Sequence, residues 1–178
     1  MINLLIIIAV VWNFYIGYTR GIILQAFYSV SLIVSGIIAG MYYQKIAKLI
    51  TLWVPYSNPV EGAKVNFFTS VDIFQLGKVY YKGVAFVAIF VAVYLICRLI
   101  GIFLHFAPIS YFENWVTNTI SGGLASLTTL VFSSLGLSVL ATIPMDVIQN
   151  HLAASSFAKL LINHFPILTA VLQKLWVG

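Results

Sequence analysis

The sequence predicts an all-α, polytopic integral membrane protein, built as a four-span helical bundle with interfacial amphipathic helices. Of the 178 residues, 62% are hydrophobic and only 7% are charged, whereas an ordinary soluble domain carries roughly 25% charged residues. A soluble fold of this size would expose large apolar patches. No stretch alternates with the period of two that is typical of membrane β-strands. We therefore expect the lipid bilayer to cover most of the surface.

Four apolar segments are long enough to cross a bilayer. The spans are expected at about 2–18, 22–43, 83–106 and 118–143, so that residues 1–143 form the bundle.

The first two spans are joined by a short polar segment. It holds their one formal charge, Arg20, between Gly17 and Gly21. As a single helix, residues 2–43 would be ~63 Å long, about twice the hydrocarbon thickness. We therefore predict a turn at 17–21, with the Arg20 guanidinium donating to the carbonyls that end the first span.

The loop between the second and third spans, residues 44–82, is predicted to be interfacial. Within it, residues 45–54 place their apolar side chains on one helical face, and Pro55 follows as a helix breaker. A second interfacial or partly re-entrant piece is expected at 66–81.

The C-terminal tail, residues 144–178, is predicted to form two amphipathic helices. Pro144 is expected to start one continuous helix, and Pro166 a second one. The second helix should be docked against the interface or against the bundle near Trp53. The Trp176 ring would be buried while its N–H stays hydrated.

Small residues recur at helical spacing in two of the spans. Gly36 and Gly40 form a GxxxG pair in the second span. Small side chains also line the fourth span, at Ser121, Gly122, Ala125, Ser126 and Thr129. Such stripes allow helix backbones to approach closely in lipid. They pack either within one chain or between copies of the chain in a homo-oligomer, and both interpretations stay open.

Arg98 is the one charge well inside a predicted span, and His105 follows on the same helical face. An arginine inside a bilayer is costly and usually faces protein, water or carbonyl groups. One interpretation is a polar route for a solute, formed with Ser121 and Thr129. The other is snorkelling of Arg98 toward the end of its span, where Glu113 follows. The four acidic residues all lie outside the spans, so no embedded carboxylate completes a relay.

Sequence motifs for catalysis are absent. There is no HExxH, no GxSxG and no phosphate-binding loop. A single cysteine, Cys97, excludes an internal disulfide, and the three histidines are far apart in sequence. We therefore expect no enzymatic activity, no cofactor and no bound metal. The net charge of +5 comes from residues beside apolar spans, where they meet lipid headgroups, so nucleic acid is not an expected partner.

Two short motifs resemble a known family. Residues 17–22, Gly-Tyr-Thr-Arg-Gly-Ile, resemble the Gly-Tyr-Arg-Arg-Gly-Phe signature of the colicin V production (CvpA) family. Residues 118–122, with Asn118 and Gly122 at their ends and Ser126 after them, resemble the family's entry to its last span. Thr19 and Thr119 stand where the family has arginine, Ser126 where it has glycine, and Gln25 where it often has an acidic residue.

The resemblance implies a small multi-pass protein of the bacterial cytoplasmic membrane. It would be a non-enzymatic accessory to toxin or bacteriocin production or export and to envelope integrity, with other membrane or export proteins as possible partners. An alternative from another class is a small-solute transporter or channel around Arg98 and the fourth span.

Orientation in the membrane stays open. Seven lysines lie on the side shared by the N-terminus, loop 44–82 and the tail, which favours cytoplasmic termini. The resemblance favours the opposite, because some relatives carry a C-terminal protease domain outside the cytoplasm.

Overall fold

The computed structural model describes residues 1–56, 65–69, 71–104 and 114–177. Within these ranges the secondary structure is helical, without strands. The helices are α1 (Ile2–Arg20), α2 (Ile22–Ile50), α3 (Leu76–Leu104), α4 (Trp115–Leu140), α5 (Asp146–Ala153), α6 (Ser156–Asn163) and α7 (Leu168–Trp176), with a 3-10 turn at Ile73–Gln75 before α3. Helices α1 to α4 are long and apolar enough to cross a membrane. The predicted all-α, four-span class is confirmed.

The second and third helices are both longer than the predicted spans. Helix α2 continues without a break to Ile50, so the separate amphipathic helix expected at 45–54 does not form. The physical reason is phase: Ala39, Tyr43 and Ala47 are buried at spacings of four residues, so one face continues through the expected boundary. Helix α3 likewise begins at Leu76, inside the predicted interfacial loop.

A single glycine separates α1 from α2. Gly21 has φ 87°, a backbone conformation that residues with a side chain rarely adopt, and both helices are interrupted there. The most extensive packing is nevertheless between α2 and α3 and between α1 and α4, while α1 touches α2 only slightly. We call the end of the bundle at Gly21 the turn end, and the opposite end, where the N-terminus meets α5 and α6, the tail end.

The apolar core lies toward the tail end. Its buried members come from α2, α3, α4 and α7, and include Tyr43, Phe86, Phe90, Leu135 and Trp176. Large apolar side chains on the outside of the four long helices are exposed, as expected of a surface that faces lipid.

The tail forms three helices instead of the two expected. The continuous helix predicted after Pro144 is broken between α5 and α6, because Ser155 caps the new helix by accepting from the Ala158 N–H at 3.1 Å. The Ser155 hydroxyl donates to Asn3 Oδ1, which also accepts from the Phe157 N–H at 3.2 Å. The start of α6 is thereby tied to the start of α1.

Helix α7 docks on the bundle, but not near Trp53, which is 85% exposed. The Tyr43 hydroxyl donates to the Leu175 carbonyl at 2.7 Å, and Lys82 Nζ donates to the Trp176 carbonyl at 2.9 Å. The Trp176 ring is fully buried and lies 6.0 Å from Phe86 between ring centroids. Its indole N–H has no hydrogen-bond partner among the described residues, which corrects the expectation of a hydrated N–H.

Candidate functional site: an arginine-lined cavity

Two arginines from different helices meet at one aromatic ring. Arg20 ends α1 and Arg98 lies in the last two turns of α3. The Arg20 guanidinium carbon is 4.9 Å from the Tyr28 ring centroid, and that of Arg98 is 5.6 Å from the same centroid. Both distances are in the range of cation–π contacts. Tyr28, on α2, therefore holds two like charges close together.

Glycine at position 101 makes room for the Tyr28 ring. A Cβ at Gly101 would lie 2.7 Å from Tyr28 Cε1 and 2.8 Å from its hydroxyl oxygen. Tyr28 is 4% exposed, so the ring is buried between α2 and α3. The absent side chain of Gly101 thus fixes where both arginines can stack.

The arginines line a cavity of about 300 Å³ that lies between all four long helices, toward the turn end. Its other polar wall residues are Asn13, Gln25, Tyr94, Thr128 and Thr129. Gln25 is almost fully buried, and its Oε1 accepts a hydrogen bond from Arg20 Nη1 at 3.3 Å. The amide of Gln25 therefore orients the Arg20 side chain toward the cavity region.

Aromatic side chains lie at the inner end of the cavity. Phe132, which lines the cavity, is 5.0 Å from Tyr94 and 5.2 Å from Phe90 between ring centroids, both in edge-to-face geometry. Phe90 belongs to the apolar core that continues to Trp176 at the tail end. The polar space is thus bounded by packed rings on the side of the tail end.

A second group of predicted residues forms the contact between α1 and α4. A Cβ at Gly17 would overlap the Ala125 Cβ and lie 2.8 Å from the Ser121 carbonyl oxygen. The Ser121 hydroxyl hydrogen is placed to donate to the carbonyls of Gly17 at 2.5 Å and Gly21 at 3.0 Å. Gly122 faces the Phe14 ring, which would be 2.8 Å from an added Cβ. The two family-like motifs therefore meet where α1 and α4 cross.

The residues of the predicted polar route do not all lie at one site in the structure. Arg98 and Thr129 line the cavity. Ser121 lies in the α1–α4 contact instead, and the neighbouring Ser126 donates to the Val10 carbonyl of α1 at 3.3 Å. His105 lies outside the described residues. Arg20 was expected to cap the last carbonyls of α1, but it donates to Gln25, and the Gly17 carbonyl accepts from Ser121, which the helix crossing brings within reach.

Within the described part of a single chain, the glycine pair of α2 makes no close helix contact. A Cβ at Gly36 would meet nothing nearer than Phe90 at 3.9 Å, and one at Gly40 nothing nearer than Leu175 at 3.9 Å. These are ordinary van der Waals distances. The residues of α2 that are buried lie one position away, at Ser35 and Ala39, both 0% exposed.

Asn118 lies one turn before the α1–α4 crossing. Its Oδ1 atom is buried and has no hydrogen-bond partner within the described part of the chain.

Sequence reasoning missed Tyr28, Gly101, Asn13 and Tyr94. Tyrosine in an apolar span resembles any lipid-facing or interfacial ring, so Tyr28 gave no signal by itself. Two signals were available: Tyr94 and Arg98 share a helical face at a spacing of four, and Gly101 is a small residue inside a span, where glycine often marks close packing.

Fold and cavity together define a polytopic helical membrane protein with a cationic cavity toward one end of its bundle. The sequence matches the family described as colicin V production protein over residues 2–166. The chain therefore belongs to the colicin V production protein family, as its motifs predicted.

The chain is also similar to the uncharacterized transmembrane protein YshB of Bacillus subtilis (strain 168). The two are 29% identical over 177 residues, which cover 99% of this chain and 97% of that protein. No solved structure matches the chain.

Proposed function

We propose that this protein is a non-enzymatic accessory of the bacterial cytoplasmic membrane that supports the production or export of a peptide toxin and the integrity of the envelope. It would act through helix contacts with other copies of itself and with other membrane or export proteins. Family membership over residues 2–166 supports the toxin-related role.

The observation that carries the scaffolding role is the use of the small polar residues of α4. Ser121 and Ser126 donate to carbonyls of α1, and Ser134 donates to the Leu161 carbonyl of α6 at 2.7 Å. These hydroxyls bind one helix to another, which is what polar residues do in membrane helix packing. A fourth span whose hydroxyls bond to neighbouring helices favours a scaffolding protein, one that presents a stable helical surface.

A specific observation favours transport as a second candidate. Arg98 and Thr129 both line the cavity, as a polar route requires. The aromatic cluster of Phe90, Tyr94 and Phe132 separates that cavity from the tail end, so solute passage would need these rings to move.

Toxin secretion tests the accessory role directly. The test strain secretes a colicin V-type peptide and lacks the gene for this protein. The expected result is a lower secreted titre and greater dye entry into cells, both restored by the wild-type gene. An unchanged titre and unchanged dye exclusion in the deletion strain would refute the proposal.

Thr129→Trp, which fills the cavity, separates the two candidates, and Thr129→Val is its matched control because it removes the hydroxyl without adding bulk. Scaffolding predicts that both variants restore secretion and that proteoliposomes conduct no more anion than protein-free vesicles. Wild-type flux that Thr129→Trp abolishes and Thr129→Val retains would establish transport instead.

A further inference from the structure

The arginine-lined cavity concentrates positive charge. Arg20 and Arg98 both lie against the Tyr28 ring and both line the same space. Among the residues that the structure describes, no acidic side chain lines the cavity. Of the described acids, Asp72 precedes α3 and Asp146 is the first residue of α5, so both lie at the tail end. Two guanidinium groups held together repel each other, and an anion between them removes that repulsion.

Three of the other polar side chains of the cavity donate hydrogen bonds within their own helices. Thr128 and Thr129 donate to the carbonyls of Leu124 and Ala125 on their own helix. Asn13 Nδ2 likewise donates to the Ala9 carbonyl at 2.9 Å. Arg20 has one hydrogen bond to Gln25 and keeps further N–H groups for a ligand.

The position of the cavity suits an anion at the membrane surface. Arg20 is the last residue of α1, next to the Gly21 turn, so its guanidinium lies where a span ends. A cavity of about 300 Å³ is at the lower end of the size range of small-molecule sites. Arginine forks match the oxygens of a phosphate group in bidentate geometry.

We propose that the cavity between Arg20 and Arg98 binds one anionic phosphate group, presented by a phospholipid headgroup or by free phosphate in solution. The proposal concerns this binding site and is independent of the scaffolding role.

Thermal unfolding of the purified chain in detergent tests the proposal through two arms. One arm titrates phosphatidylglycerol into micelles of a maltoside detergent, which carries no phosphate, and the other titrates inorganic phosphate against chloride at equal ionic strength. We expect a concentration-dependent rise in melting temperature in at least one arm. A rise with lipid alone assigns the site to a headgroup, and a rise in both arms shows that free phosphate also binds. No rise in either arm overturns the proposal.

Arg20→Gln and Arg98→Gln are each expected to weaken the apparent affinity about tenfold, because each removes charge-assisted hydrogen bonds. Lys45→Gln is the matched control, since it removes an exposed cation of α2 near the tail end. An equal rise in melting temperature with ligand in all three variants would overturn the assignment of the site to Arg20 and Arg98. If a glutamine variant fails to fold, Arg98→Lys replaces it. Lysine keeps the charge but not the fork, so a weakened phosphate response is still expected, and a full response counts against the proposal.

Discussion

The contact between α1 and α4 makes the sharpest prediction, Gly17→Ala. The added Cβ would overlap the Ala125 Cβ and lie 2.8 Å from the Ser121 carbonyl oxygen and 3.1 Å from Gly122 Cα. Two of these neighbours are backbone atoms, which cannot rotate away. The two helices must therefore separate, and the Ser121 hydrogen bonds to α1 lengthen.

The magnitude follows from three contributions. Overpacking of this kind costs about 1–3 kcal/mol, and a weakened interhelical hydrogen bond in a membrane about 0.6 kcal/mol. Alanine in a helix returns about 1 kcal/mol relative to glycine. The net loss is about 0.6–2.6 kcal/mol, or roughly 1–10 °C in melting temperature for a chain of this size.

Gly123→Ala is the matched control, because a Cβ there meets no atom within 4 Å. We expect it to melt at or slightly above the wild-type temperature in the same detergent, while Gly17→Ala melts below both. A second substitution, Ala125→Gly, should restore part of the loss in Gly17→Ala by returning the missing space. If Gly17→Ala is as stable as Gly123→Ala, the close-packing argument for this crossing is wrong.

Three further predictions rest on single contacts. Gly101→Ala should lower the melting temperature by displacing the Tyr28 ring, whose Cε1 lies 2.7 Å from the added Cβ; unchanged melting would contradict it. Gly36→Ala should leave melting unchanged or slightly raised, since the nearest atom is at 3.9 Å, and a clear loss would show a contact there. Burial and the neighbouring tyrosines raise the pKa of Tyr56 to about 12, above the ordinary value of 10.0. The folded state therefore keeps a proton that the unfolded state loses, so stability should fall between pH ~10 and ~12. Tyr56→Phe removes the hydrogen bond to the Thr142 carbonyl. In this variant the fall in stability with rising pH, measured by alkaline unfolding, should be shallower, and an equally steep fall would refute this.

The sequence predicted the features that depend on local physics. Four apolar lengths gave four long helices, and the glycines around Arg20 marked the turn, which the structure places at Gly21 with φ 87°. A single glycine suffices because it alone tolerates that backbone conformation without strain. Helix ends were predicted less well: the second span was expected to end at residue 43, whereas the buried face of α2 continues to Ala47 and the helix ends at Ile50.

Pairing between helices could not be read from the sequence. Helices α1 and α2 are neighbours in the chain, yet α1 packs mainly on α4. The choice depends on the space at Gly17 and on the Ser121 hydroxyl, which lie more than a hundred residues apart in the chain. For the same reason, only part of the site could be predicted from the sequence. Arg98 was singled out as the one charge inside a predicted span, but its partners Tyr28 and Arg20 become apparent only when α1, α2 and α3 are assembled.

The length of α3 explains how Arg98 is tolerated inside a span. Lys82 lies near the tail end, where it donates to the Trp176 carbonyl. From Lys82 to Arg98 is 16 residues, or ~24 Å at 1.5 Å per residue. With Lys82 at one boundary of a ~30 Å hydrocarbon layer, Arg98 lies ~6 Å below the other boundary. That depth is within the reach of an arginine that snorkels toward the headgroups. On this estimate the stacking of Arg98 on Tyr28 lies close enough to the turn-end boundary for the guanidinium to reach the headgroups.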